Sequence, residues 1–559
     1  MKFLLVAVNT KFIHSNPAVR VLREYVLSHD PSVPADEIGI LESTINNSYE
    51  EVLSDIYLKK PEVVLFSCYI WNWAFIKKLS REVAKVLPEA IIWAGGPEVS
   101  FDAEAILAEC PWIRGIMTGE GEESFLFLVQ AIRRGEDVSG ILRGEDAAMG
   151  QLPFIYTDES IAAYQNKILY YETSRGCPFS CSYCLSSVKG NVRLRPWEMV
   201  EKELAFFVRH RVKQVKFTDR TFNCDHVHCQ RIWKWIKEHD NGVTNFHFEI
   251  AGDLLNEDEI ALLSGMRPNL VQLEIGVQST NPETITEIRR KMDLNKLASN
   301  VEKIRSFGNI HQHLDLIAGL PYEDLKSFRK SFDDVYRMKP DQLQLGFLKV
   351  LKGSYMAEKV ADYEINYTSE APYEVLSTKW LSFADVIRLK KVEAVLELFY
   401  NSRQFTAMLP LLEQCFNSSF DLYDRMAEYY EAEGFFLNSP SRAYRYQILL
   451  DFAASIEPLH IDLYREALTF DLYLREKAKS RPAFALDLKP YQKVIRQQYD
   501  EGLDKRCHVD VFSYAVWEDG APKLPEKALV AFDYEKKDPL DHNASVTVIG
   551  YLQEENHLL

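Results

Sequence analysis

Residues 172–184 read Glu172-Thr173-Ser174-Arg175-Gly176-Cys177-Pro178-Phe179-Ser180-Cys181-Ser182-Tyr183-Cys184. They continue from Ile168–Glu172, a short run with strand character. A loop with Cys-x3-Cys-x2-Cys spacing therefore hangs from the carboxyl end of a strand. Downstream, strand-like runs recur at Gln214–Thr218, Asn245–Ile250, Leu270–Ile275, Gln312–Ile317 and Gln342–Leu348. Amphipathic stretches separate them: Trp197–Arg209, His228–Lys237, Glu257–Ser264, Asn295–Phe307 and Leu325–Met338. Six strand–helix units predict an α/β fold over residues 151–365, a partial (β/α)6 barrel with functional groups at the carboxyl ends of its strands.

Toward the N-terminus the same rhythm is shorter. Lys2–Val8, Ile38–Leu41, Glu62–Phe66, Ala90–Ala94 and Ile113–Met117 predict a five-stranded, doubly wound parallel sheet over residues 1–150. Ligands of such sheets lie beyond the strands' carboxyl ends. That edge carries Asn9 and His14, then Ser67, then Gly95-Gly96-Pro97-Glu98, then Gly119-Glu120-Gly121-Glu122. Each glycine turn alone is an ordinary βα connection; four polar or glycine-rich turns on one edge suggest a large ligand without naming it.

Residues 366–559 change character. Ser382–Tyr400, Asp421–Glu433 and Tyr444–Ala478 have helical periodicity, and Ser382 with Asp385 forms a capping-box pattern. Val509–Tyr514, Ala528–Tyr534 and Ser545–Tyr551 read as antiparallel strands. The third domain is thus mainly helical with a few antiparallel strands, and carries no motif tied to a reaction.

The 559 residues are 47% hydrophobic and 26% charged, which excludes a disordered or fibrous chain. A net charge of −17 argues against nonspecific nucleic-acid binding. No stretch reaches the ~20 apolar residues of a membrane span. Asn9-Thr10-Lys11 follows the first apolar run without a small-residue cleavage site, so that run reads as a buried strand and not a secretory leader. Nine cysteines, an odd number in so long a chain, fit a reduced cytoplasm, where clustered cysteines mean metal or redox chemistry. Three thiolates on one loop can each reach a different iron of a cubane cluster and leave the fourth iron open. Structural zinc wants four ligands; the nearest additional ones are Cys224, His226, His228 and Cys229, in a stretch that reads as a strand-to-helix turn.

Cys177-x3-Cys181-x2-Cys184, with Tyr183 before the last cysteine, resembles the signature of the radical S-adenosylmethionine superfamily. Thr218-Asp219-Arg220-Thr221-Phe222-Asn223, Glu274-Ile275-Gly276-Val277-Gln278-Ser279 and Asp315-Leu316-Ile317-Ala318-Gly319-Leu320-Pro321 resemble its other strand-end segments. Residues 1–150 resemble the cobalamin-binding domain of one branch. The Asp-x-His-x-x-Gly motif of mutase-type cobalamin domains is absent after the first strand, so His14 is not carried over as a cobalt ligand.

The resemblance implies that Cys177, Cys181 and Cys184 hold a 4Fe–4S cluster whose open iron binds S-adenosylmethionine. It implies reductive cleavage to a 5′-deoxyadenosyl radical and a reductant such as flavodoxin or ferredoxin. Tyr183, Asp219, Arg220, Glu249, Gln278, Ser279, Gly319 and Pro321 become candidate S-adenosylmethionine contacts. Asn9, His14, Ser67, Gly95, Gly96, Gly119, Glu120 and Gly121 become candidate cobalamin contacts. Lys349 and Lys352 lie at the barrel rim, where either could meet an anionic substrate. Three activities are carried forward: methylation of an unactivated carbon, radical cyclisation or rearrangement without net methylation, and a non-catalytic metal-binding scaffold. The substrate is not indicated.

Overall fold

The computed structural model describes residues 2–187 and 190–552. The first sheet is built from β1 (Phe3–Asn9), β2 (Ile38–Thr44), β3 (Val63–Ser67), β4 (Ile91–Gly95), β5 (Gly115–Thr118) and β6 (Gly140–Arg143). Its order is β2-β1-β3-β4-β5-β6, parallel throughout. The order reverses at β1 and β3, so a crevice opens at their carboxyl ends. All seven residues of β1 are buried because helices cover both faces. β6 is a sixth strand beyond the five expected. It lies at the sheet edge with no fully buried residue, so no apolar run marks it.

The second sheet begins with β7 (Leu169–Tyr171). A two-residue ribbon of β8 (Ser174–Arg175) and β9 (Arg193–Leu194) follows, and then β10 (Gln214–Phe217), β11 (Asn245–Ile250), β12 (Val271–Gln278), β13 (His311–Ala318) and β14 (Gln342–Phe347). The order β14-β13-β12-β11-β10-β7 is parallel and unclosed, the partial barrel expected. Alternation divides each strand. Val215, Phe217, Phe246, Phe248, Leu273, Leu314 and Leu343 pack into the apolar core. On the alternate positions stand Lys216, His247, Glu249, Glu274, His313 and Asp315, which give the barrel a polar interior.

The remaining residues open with a short ribbon, β15 (Asn366–Tyr367) and β16 (Val375–Ser377). Helices Phe383–Leu396, Met408–Glu413, Ser419–Ala432, Arg442–Ile456 and Ile461–Arg475 follow, with the capping box of Ser382 and Asp385 formed as expected. An antiparallel sheet of β17 (His508–Tyr514), β18 (Lys523–Lys537) and β19 (Ala544–Leu552) ends the described chain. This region shares one continuous core with the barrel. Phe332 meets Phe420 edge-on at 5.5 Å, and Tyr336 Oη lies 3.0 Å from Tyr423 Oη. No helix among the described residues is long and apolar enough to cross a membrane.

Candidate active site

The cysteine loop is fastened at its stem before any cysteine is reached. Asp219, just beyond β10 and fully buried, accepts from the Thr173 amide at 3.0 Å, Thr173 Oγ1 at 2.6 Å and Ser174 Oγ at 2.5 Å. Its carboxylate is thereby committed to the loop stem instead of the methionine contact expected of it. Gly176 follows at φ +97°, and a Cβ there would stand 1.9 Å from the Asn191 carbonyl oxygen. Gly176→Ala is therefore expected to cost about 2 kcal/mol or more of stability and to lower the metal bound per chain; calorimetry and iron analysis after reconstitution check this. Cys177 and Cys181 are buried and Cys184 is half-buried. Cys177 Sγ lies 3.5 Å from Thr221 Oγ1. Arg290 Nη1 lies 3.9 Å from Cys181 Sγ and 3.4 Å from Tyr183 Oη, and Nη2 donates to the Gly276 carbonyl. Burial pushes the Cys181 thiol up, and Arg290 opposes the shift.

Three thiols gripping a single ion would bring their sulfurs close together. Among the described residues, only Glu274, His313 and Asp315 place three ligand atoms within 4.8 Å of one another, so the cysteines are not arranged as a zinc site. No disulfide links any of the nine cysteines.

A cavity of about 140 Å³ adjoins the loop, lined by Phe179, Cys181, Arg220, Thr221, Glu249, Gln278, Arg290 and Asp315 among others. Glu249 is pushed up by burial and then by Glu274. Burial would raise Glu274 too, but His247 and Lys216, each 2.9 Å from its Oε2, hold it well below the usual carboxylate range. Gln278 Oε1 and Arg290 Nε are buried without a hydrogen-bond partner, as suits groups waiting for a polar ligand.

A larger cavity of about 600 Å³ lies between the first sheet's carboxyl edge and the barrel mouth. It gathers Asn9, His14, Ser67, Gly95, Gly96, Gly119 and Gly121, with Tyr69, Trp71, Tyr170 and Arg220. Gly96 has φ +113°, and a Cβ there would stand 2.4 Å from the Cys68 carbonyl oxygen. Burial lowers the His14 pKa, and Nδ1 shares a hydrogen bond with Tyr170 Oη at 2.6 Å. Tyr69 and Trp71 stack at 4.3 Å, and Trp71 stays 43% exposed. Arg220 lines both cavities.

Other expected contacts are placed elsewhere. Ser279 is buried and donates to Glu323 Oε1 at 2.6 Å. Gly319, at φ +90°, faces Val375, and the Pro321 carbonyl accepts from Thr284 Oγ1 at 2.9 Å; both shape a buried turn. Glu120 is engaged through one oxygen by Arg175 and through the other by Arg193. Lys352 pairs with Asp102 at 3.2 Å and Glu98 at 3.6 Å. Tyr183 and Lys349 line a separate cleft of about 480 Å³, which Glu374, Lys390 and Glu393 complete from the C-terminal region. Arg290, Tyr69, Trp71 and Tyr170 carry no local pattern that would mark them, and Thr221 stands inside a strand-end segment whose resemblance does not single it out.

The family model of the B12 binding domain matches residues 4–129, and that of the radical SAM superfamily matches residues 171–335. The two matches lie in succession along one chain, the first on the sheet of residues 4–129 and the second on the cysteine loop and barrel. A third model, for a protein of unknown function (DUF4080), matches residues 361–523. The chain is 26% identical over 315 residues to the cobalamin-dependent radical SAM methyltransferase TokK of Streptomyces tokunonensis. That match covers 48% of the chain and 44% of TokK, so the chain spans less than half of that relative's length. Its fold resembles OxsB, a cobalamin-dependent S-adenosylmethionine radical enzyme solved with aqua-cobalamin and S-adenosylmethionine. The TM-score is 0.56 and the identity 14%, over 89% of this chain and 80% of that one. It also resembles the methyltransferase TsrM from Kitasatospora setae, solved with cobalamin and a 4Fe–4S cluster. There the TM-score is 0.54 and the identity 16%, over 65% of this chain and 75% of that one.

Proposed function

We propose that the chain is a cobalamin-dependent radical S-adenosylmethionine enzyme that methylates an unactivated carbon. The observation that carries this is the meeting of the two cavities at Arg220, one beside the cysteine loop and one at the glycine-rich edge of the first sheet. When bound, the cluster supplies an electron that cleaves S-adenosylmethionine to methionine and a 5′-deoxyadenosyl radical, and cobalamin supplies a methyl group.

Cys177, Cys181 and Cys184 would hold the cluster, with Arg290 countering the charge beside Cys181. Glu249, Gln278, Arg290 and Asp315 offer a carboxylate, an amide, a guanidinium and a second carboxylate to the amine, carboxylate and ribose of S-adenosylmethionine. Asn9, Ser67, Gly95, Gly96, Gly119 and Gly121 would receive cobalamin along the open sheet edge, where backbone can approach a large ring. Arg220 would face both ligands, and the barrel wall would shield the radical from water. A reductant such as flavodoxin or ferredoxin is needed, which suits a reduced cytoplasm.

The test is anaerobic purification with cobalamin, reconstitution of the cluster, and product analysis. Methylation yields both S-adenosylhomocysteine and 5′-deoxyadenosine. Cyclisation or rearrangement yields the second without the first, and a metal-binding scaffold yields neither. Because His14 is committed to Tyr170, hydroxocobalamin binding is expected to survive His14→Ala; lost cobalt coordination in that variant would make His14 the lower ligand.

A further inference from the structure

A half-buried charge cluster joins the two halves of the site. Glu120 lies between Gly119 and Gly121, which are both on the wall of the larger cavity. Its Oε1 accepts from Arg193 Nη2, and its Oε2 accepts from Arg175 Nη1 at 2.9 Å. Arg175 also donates Nη2 to Glu122 Oε1 at 2.7 Å and Nε to Glu172 Oε2 at 2.8 Å, so a carboxylate meets each of its nitrogens. Arg193 donates Nη1 to the Ala147 carbonyl at 2.7 Å. Arg175 and Arg193 stand opposite each other in the β8–β9 ribbon, which closes the loop carrying the three cysteines. Thus two arginines at the stem of the cysteine loop grip the wall of the neighbouring cavity. The side chains of Arg175, Glu120 and Glu122 are 16%, 15% and 6% exposed, so solvent and salt screen the contacts among these three weakly, while Arg193, at 29%, reaches Glu120 from a more open side.

We propose that Arg175, Arg193 and Glu120 make filling of the larger cavity and metal loading of the cysteine loop mutually dependent. This rests on the cofactor reading above. A ligand shifts a conformation only by binding one arrangement better than another. Here the wall turn and the loop stem move as one unit, because the arginines belong to the stem and Glu120 to the wall. The turn is held at its ends by β5 and by the helix Glu122–Arg133, whose Phe125 amide donates to the Gly121 carbonyl at 2.8 Å, and the Glu120 ion pairs add the tie from this turn to the loop stem. A wall drawn onto its ligand carries Glu120, and with it the stem; a loop gathered around iron holds the stem, and with it Glu120. Such coupling is reciprocal by thermodynamic necessity. Arg175 and Arg193 are positioning residues in this scheme. A merely structural clasp would weaken both sites without linking them.

The experiment titrates the full chain with hydroxocobalamin, read by absorbance, in cluster-free and cluster-reconstituted forms. For the wild type, the dissociation constant is expected to be lower in the reconstituted form, by on the order of tenfold. In Glu120→Gln, which keeps the shape but removes the shared charge, the ratio should fall toward one while circular dichroism and cluster absorbance persist. Iron bound per chain at limiting iron should rise with hydroxocobalamin in the wild type and not in the variant. If Glu120→Gln does not fold, Arg193→Lys decides the matter, since it keeps the charge but cannot span Ala147 and Glu120. Equal dissociation constants in the two wild-type forms, or an unchanged ratio in the folded variant, would overturn the coupling alone. No hydroxocobalamin binding in either form would overturn the cofactor reading and the coupling with it.

Discussion

Alanine at Cys177, Cys181 or Cys184 is expected to abolish the iron–sulfur absorbance and the reductive cleavage of S-adenosylmethionine together. The loop supplies three thiols and no more, and the site needs all of them if one iron is to stay open to the sulfonium donor. Losing a group that only hydrogen-bonds a metal ligand already costs about 10–100-fold in affinity or activity, so losing a direct ligand should exceed 100-fold. The chain should still fold. Cys177 and Cys181 are small buried thiols at the end of a loop whose stem is anchored by Asp219, and Cys184 is only half-buried. Iron content, the visible spectrum and 5′-deoxyadenosine release under dithionite read the outcome. A variant that keeps full cleavage would show that the cluster is held elsewhere.

Asp219→Ala should destabilise the whole chain and not merely the reaction. Removing the carboxylate strands the Thr173 amide and the Ser174 hydroxyl in a site without solvent, and leaves the Thr173 hydroxyl with His228 Nε2, at 2.9 Å. Each buried donor left unpaired costs about 1–3 kcal/mol, so a total loss of about 3 kcal/mol is expected from denaturant titration. Cluster incorporation should fall with it, because the stem of the cysteine loop loses its anchor. The pH dependence gives a second reading. Burial pushes the Asp219 carboxyl up from 3.8 to about 6, against the pull of Ser174 and Thr173. Between those values the folded chain keeps a proton that the unfolded chain has released. The Asp219 contribution to stability therefore falls as pH rises from 3.8 to 6 and is flat above that. Asp219→Ala should remove this slope; a variant that retains both stability and slope would show that the stem is held by other groups.

The strands were legible for two reasons: burial on both faces leaves runs such as Phe3–Val8 in the first sheet, and one apolar face leaves alternation such as Phe246, Phe248 and Ile250 in the barrel. β6 escaped notice because an edge strand of four residues needs no such run. Within the site, legibility followed sequence distance. The cysteines and the glycine turns declare themselves locally, since their chemistry depends on neighbours in the chain. Asp219 is 46 residues from Thr173, Ser279 is 44 from Glu323, and Glu120 is 55 from Arg175. All three sit on strand-end loops where a ligand contact is the natural expectation, and each is instead taken up by a partner that only the folded chain brings near. Arg290 reaches Cys181 across 109 residues. Its neighbour Arg289 is of the same type but lies over the Tyr355 ring, so composition alone could not choose between them.

The aromatic seam between helices Leu325–Arg337 and Ser419–Ala432 bears on how this molecule can be handled. Phe332 and Tyr336 have their inner faces covered by Phe420 and Tyr423, and Tyr336 also donates to Glu413. Shortening the gene after the barrel would lay that oily strip open to water and invite self-association. Residues 366–552 thus complete the barrel's outer packing, and substrate screens belong on the intact polypeptide.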